Sequence, residues 1–238
     1  MADESVSIHD EPHRTVQGGA ARAAVFGIND GLVSNVSLIL GMAGAAASPG
    51  VVRLAGLAGL LAGAFSMAAG EYVSMKAQEE LLAREIERER REIREHPDRE
   101  TEELARIYER RGLARDTSRR VAAAMMEDPE VALDVHAREE LGVDPDELGS
   151  PVAAAVSSFV AFSIGAAIPL VPWLFAGGGA ATVTSLVLAL VAAVAVGAAL
   201  ARFTARSYLR SIARQVLVAG AAAGVTYLVG SAIGVGVA

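Results

Sequence analysis

The chain has 238 residues, of which 53% are hydrophobic, carries a formal net charge of −7 and contains no cysteine. That excludes disulfides, thiolate zinc sites and iron–sulfur clusters, and the acidic balance argues against a basic nucleic-acid-binding surface. The charge is also segregated. Of the 21 Lys and Arg residues, 14 lie between Lys76 and Ser150, and the flanking stretches are nearly charge-free, as membrane spans are.

Residues 1–22 read as a polar, acidic tail without the apolar core of a cleavable signal peptide, so the first span is expected to act as its own insertion signal. A span needs about 20 mostly apolar residues. Five stretches qualify: Ala23–Ala47, Val51–Met75, Val152–Phe175, Ala180–Ala201 and Ile212–Val237. Ser48-Pro49-Gly50 makes the first two an antiparallel hairpin. Pro169 and Pro172 are expected to stop or kink the third span, and Gly177-Gly178-Gly179 to turn it into the fourth.

The region 76–150 reads as a helical insert. Lys76–Glu95 holds strong helix formers and no Gly or Pro. His96-Pro97-Asp98 breaks it, and Asp98 is the expected cap of a second helix that Gly112 ends. Asp116 is the expected cap of a third, ending near Glu127. Asp128-Pro129 opens a fourth, which Gly142 ends. The expected organisation is an all-α polytopic protein: tail 1–22, spans one and two within 23–75, insert 76–150, spans three to five within 151–238.

Arginine placement orients it. Arg14 and Arg22 precede span one, the insert is Arg-rich, and Arg202, Arg206, Arg210 and Arg214 lie between spans four and five. The opposite side shows only Arg53. The N-terminus and insert are therefore expected in the cytoplasm and the C-terminus outside. The Ala/Arg/Gly-rich composition points to a bacterial plasma membrane.

Three groups of side chains could carry chemistry. Span one holds Asn29, Asp30, Ser34, Asn35 and Ser37. An ionised Asp at the bilayer centre costs about 3 kcal/mol on insertion scales, so such acids usually have a task. The alternative is an interfacial Asp30 that only caps a helix. Span two places Met67, Glu71 and Met75 at i, i+4, i+8, on one helix face. Thioether beside carboxylate suits a borderline ion such as Fe²⁺, although methionines also simply fill gaps. Gly59-x-x-x-Gly63 on the same helix permits close helix approach. In the insert, Glu85, Glu89 and Glu92 share a face, Glu100 and Glu103 share another, and His136 pairs with Glu140 at i, i+4. These could enclose divalent ions, or form a solvated face paired with the neighbouring arginines. Enzyme chemistry has little support. No Glu-x-x-His di-iron motif, Gly-x-Ser-x-Gly or His-Glu-x-x-His is present.

The stretches Gly27–Asn35, Gly56–Gly59 and Ala62–Ser74 resemble the vacuolar iron transporter family. The resemblance implies a homodimer in the lipid bilayer that moves Fe²⁺ or Mn²⁺ out of the cytosol against protons, with no cofactor and no nucleic acid. It implies a path at the dimer interface containing Asp30 and Met67, to which Asn35 and Glu71 are added here. It also implies metal ligands at Glu89, Glu92, Glu100, Glu103 and Glu140. Two departures stand out. His136 occupies the position of a methionine ligand, and Gly59 that of a glutamate found in some members, for which Glu71 is the candidate substitute. The rival readings are a membrane-anchored metal sensor and a transporter of another solute, such as an organic cation.

Overall fold

A computed structural model describes residues 19–144 and 149–235, with side chains placed for 23–144 and 149–234. Most of the expected tail, including His9, His13 and Arg14, lies outside the described residues, as do residues 145–148 of the insert. The described residues form helices α1 (Gly19–Gly44), α2 (Pro49–Glu95), α3 (Pro97–Arg110), α4 (Arg115–Met125), α5 (Pro129–His136, running on as a wider π turn through Ala137–Leu141), α6 (Pro151–Phe175), α7 (Gly178–Phe203) and α8 (Tyr208–Val235). Among them are five helices long and apolar enough to cross a membrane. The protein is an all-α integral membrane protein.

The division between span two and insert is not a break in the chain. With no Gly or Pro from Glu71 to Glu95, nothing interrupts the hydrogen-bond ladder, and α2 is one helix of 47 residues. At 1.5 Å per residue it is about 70 Å long, roughly twice a bilayer's hydrocarbon thickness. It therefore carries span chemistry at one end and insert chemistry at the other. The first link turns tightly: Ala46 adopts φ 56° while Ala47 N–H donates to the Met42 carbonyl at 3.1 Å, a left-handed helix stop.

The caps differ in detail from expectation. His96, not Asp98, precedes α3, because Pro97 takes the first helical position. Asp98 and Glu100 sit inside its first turn instead, where their charge suits the helix dipole. Ala114, not Asp116, precedes α4. Asp128 does cap α5, accepting from Glu130 N–H at 2.9 Å, and Gly142 ends the π turn at φ 67°. Pro169 and Pro172 do not stop α6, which continues to Phe175. Only Gly177 of the glycine triplet remains outside a helix, as the residue before α7.

Helix α1 is the centre of the bundle and touches all four other spans. A Cβ added at Gly31 would come within 2.9 Å of the Ala166 backbone N of α6, and one added at Gly165 equally close to Leu32 N. Glycine on both sides lets these backbones approach, the usual way lipid-embedded helices gain packing. Gly59 and Gly63 do the same within one chain. A Cβ at Gly59 would crowd Leu38 and Asn35 of α1, and one at Gly63 would meet the Phe162 ring. Leu32, Val36 and Leu40 of α1 bury against Ala189 and Ala193 of α7 and Ala223 of α8. In the insert, Ile93 of α2 packs on Ala132 and Leu133 of α5, and Leu104 and Ala105 of α3 on Ala122 of α4.

Candidate metal site in the insert and polar groups of the spans

Apolar contacts set the register of the insert site. Ile93 is one turn beyond Glu89 on α2, and Leu133 one turn before His136 on α5. Their packing brings Glu89 and His136 face to face. Leu104, fully buried, lies one turn beyond Glu100 on α3. Each ligand-type side chain thus has an apolar anchor on its own helix face.

The result is a buried acid–imidazole cluster. Glu89, Glu100 and His136 offer ligand atoms that all lie within 4.8 Å of one another. Glu100 is 2% exposed and His136 0%. Glu89 Oε1 stands 3.0 Å from His136 Nδ1, yet neither atom has a hydrogen-bond partner of proper alignment. Glu100 Oε1 and His136 Nε2 are likewise buried without a partner. Glu140 Oε2, from the π turn, is 3.8 Å from His136 Nδ1. π turns re-aim side chains at functional sites.

Two donors on one divalent ion are about 3–4 Å apart, since each metal–ligand distance is about 2.0–2.2 Å. A small contraction of this cluster would meet that. Left without a cation, the two atoms that face no close partner, Glu100 Oε1 and His136 Nε2, cost roughly 1–3 kcal/mol each. Carboxylate oxygen with imidazole nitrogen suits Fe²⁺, Mn²⁺ or Zn²⁺ better than Mg²⁺ or Ca²⁺.

Proton affinity tells the same story. Burial raises the Glu100 carboxyl above the usual carboxylate range, and the charges of Glu89 and Glu103 raise it further. Glu140 is raised by burial and by the same two neighbours. For His136, burial pulls downward, but the Glu89 carboxylate at Nδ1, with Glu100 and Glu140 nearby, prevails and raises it. Excess negative charge in a buried space is the common cause.

Not every expected insert residue joins. Glu92 is turned to Arg88 at 3.1 Å and Arg99 at 3.5 Å. Glu103 acts on the cluster through its charge but is not among the three converging groups. Glu85 pairs with Arg88 at 3.7 Å, as on a solvated face.

In the spans, Asp30 is exposed on the surface of the single chain and accepts a hydrogen bond from Ser34 at 3.2 Å. Phe26, Asp30, Ser34 and Leu38 repeat every fourth residue, and all four are exposed. Asn35 is 2% exposed. Its amide donates to the Ala166 carbonyl at 2.6 Å, and its own Oδ1 is buried without a partner. Met67 is half-buried against Ala64, Phe162 and Ala166, Glu71 is half-buried and Met75 buried. One polar contact escaped the sequence reading: Gln215 of α8 donates to Asn29 of α1 inside the bundle. A lone glutamine within a span was its only signal.

These features define a class: a five-span helical membrane protein whose second span projects from the bilayer and bears a buried cation-type ligand cluster. The sequence pattern described as the VIT family matches residues 21–231. A "Vacuolar iron transporter" of Acanthamoeba castellanii is 39% identical over 189 residues, 76% of this chain and 69% of that protein. "Vacuolar iron transporter 1" of Eucalyptus grandis is 35% identical over 70% of this chain and 67% of its own length, and the protein of the same name from Arabidopsis thaliana is 35% identical over 70% and 66%. The chain belongs to the VIT family, whose members are transporters and not enzymes.

Proposed function

We propose that this protein exports Fe²⁺, or Mn²⁺, from the cytosol in exchange for protons, and that it works as a homodimer. The observation that carries the reading is α2. One unbroken helix holds Glu89 of the buried cluster, with Glu71 and Met67 lower down, so a capture site and a membrane path share one rigid element. The insert, on the cytoplasmic side, takes the ion first. Carboxylates and imidazole suit this step because each must give up a proton to bind metal.

Asp30 and Met67 then pass the ion across, with Asn35 contributing a neutral oxygen and Asp30 or Glu71 carrying the counter-moving proton. The Phe26–Asp30–Ser34–Leu38 row supports the dimer. A charged side chain on a span is costly against lipid and is normally covered by protein or water, and a second copy of α1 supplies that cover. The proton-coupled arrangement serves detoxification in a plasma membrane and storage in an organelle.

Proteoliposomes with an imposed pH gradient test this. Wild type is expected to accumulate Fe²⁺ or Mn²⁺, and Asp30→Ala to lose it. No uptake of either ion by wild type, or equal uptake by Asp30→Ala, refutes transport. An insert that binds metal while Asp30→Ala and Met67→Leu change nothing identifies a membrane-anchored sensor instead.

A further inference from the structure

The chain from 151 to 238 contains no Asp or Glu, and its only charged residues are Arg202, Arg206, Arg210 and Arg214. All four are exposed, and no acid among the described residues pairs with them. They are also held close together. Helix α7 ends in a left-handed stop, with Ala205 at φ 49° and Arg206 N–H donating to the Ala201 carbonyl at 3.0 Å. A non-glycine residue held in this conformation makes a short, defined turn. Four like charges within one turn and the helix ends beside it repel one another unless anions share the space.

Depth and face make the surface specific. Helix α8 has 28 residues, about 42 Å at 1.5 Å per residue. The stretch after Arg214 alone accounts for about 31 Å, enough for the hydrocarbon core. Arg214 and Arg210 therefore sit at headgroup level, at the end of the bundle from which α2 emerges. They are one turn apart, and Leu217, Ala221, Val225 and Leu228 continue the same face, all exposed. Gly220 and Gly224 beside that row have open space around them. Phe203, Tyr208 and Leu209, all exposed, flank the arginines as interfacial anchors do.

We infer that this end of α7 and α8 is a binding site for an anionic phospholipid, with the phosphate held by Arg210 and Arg214, assisted by Arg202 and Arg206, and an acyl chain lying along Leu217–Leu228. Guanidinium groups match phosphate oxygens bidentately, and basic clusters just beyond a span select anionic lipids. The site does not depend on which cation the protein carries.

The test uses the full chain in a nonionic detergent. Thermal unfolding is followed against short-chain phosphatidylglycerol, short-chain phosphatidylcholine and inorganic phosphate, and native mass spectrometry counts retained lipid. Phosphatidylglycerol is expected to stabilise wild type and remain bound. Arg210→Gln with Arg214→Gln should raise its half-saturating concentration by about tenfold or more, while Lys at both positions, which keeps the charge but loses the bidentate fork, should raise it less than the Gln pair does. Equal stabilisation by phosphatidylcholine, equal stabilisation by phosphate alone, or an unchanged Gln variant overturns the assignment. Because the chain has no cysteine, Val218→Cys gives a further check in membranes. Disulfide-linked dimers would mean that a second copy covers this face, which also overturns it.

Discussion

The insert and the span bundle handle their acids in opposite ways. In the insert, Glu89, Glu100 and His136 converge inside one chain and are buried. In the bundle, Asp30 stands on the outer face of α1 and is exposed. On the proposed reading a cation would satisfy the insert cluster, whereas Asp30, exposed among the described residues, meets only Ser34 among them and would draw its cover from water or a second subunit. A site closed by its own chain can bind metal as a monomer. A site left open on a helix face would acquire its environment by the proposed assembly.

The sharpest way to break this contrast is Asp30→Ala. Losing a charged ligand from the proposed path, worth about 1.5–3 kcal/mol, is expected to lower transport by roughly 10- to 150-fold, while metal binding to the insert, followed by calorimetry, is unchanged. If insert affinity falls as well, the two regions are not separate sites. His136→Ala is next. It removes a proposed buried ligand and should weaken metal binding to the insert by at least the roughly 10- to 100-fold that loss of an outer-shell partner costs, with transport lost at low metal and recovered at saturation.

pH sharpens the comparison further. Glu100, Glu140 and His136 all have raised proton affinity in the folded insert. A group raised on folding adds stability that is fully present below its unfolded pKa and lost as pH rises through its folded value. For the glutamates that loss begins above the ordinary carboxylate range, and for the histidine above about 6.5. Chelator-treated protein should therefore resist denaturant better near pH 5 than near pH 7.5. Metal at 100 times its dissociation constant should restore about 2.7 kcal/mol at the higher pH, and its binding should weaken on acidification. A metal-free insert whose stability rises with pH over this window contradicts the raised affinities. The smallest effect belongs to Glu92→Gln. Because Glu92 faces Arg88 and Arg99, exchanging it costs two partly exposed pairs, about 0–1 kcal/mol each, and insert affinity should change by less than about fivefold.

Much of this was legible beforehand, for physical reasons. Spans are announced by about 20 apolar residues because lipid tolerates little else. Asp128-Pro129 and Gly142 marked helix ends because their backbone chemistry allows few alternatives. The cap at Asp98 was misplaced by two residues because Pro97 competes for the same turn, and the order of capping residues does not reveal which one wins. Spacing along α2 and α3 grouped Glu89 with Glu92 and Glu100 with Glu103. It could not say that Glu92 turns to arginine while Glu89 and Glu100 meet His136, since that depends on how three helices cross.

The sequence by itself determined the five spans, the helical insert and the residue types from which a cation site is built, because hydropathy and helix periodicity are local properties. Only the tertiary structure decided that packing of Ile93 on Leu133 draws Glu89 to His136, and that Asp30 faces outward. Those facts arise from contacts between residues far apart in the chain, and no pattern along it encodes which pairs will meet.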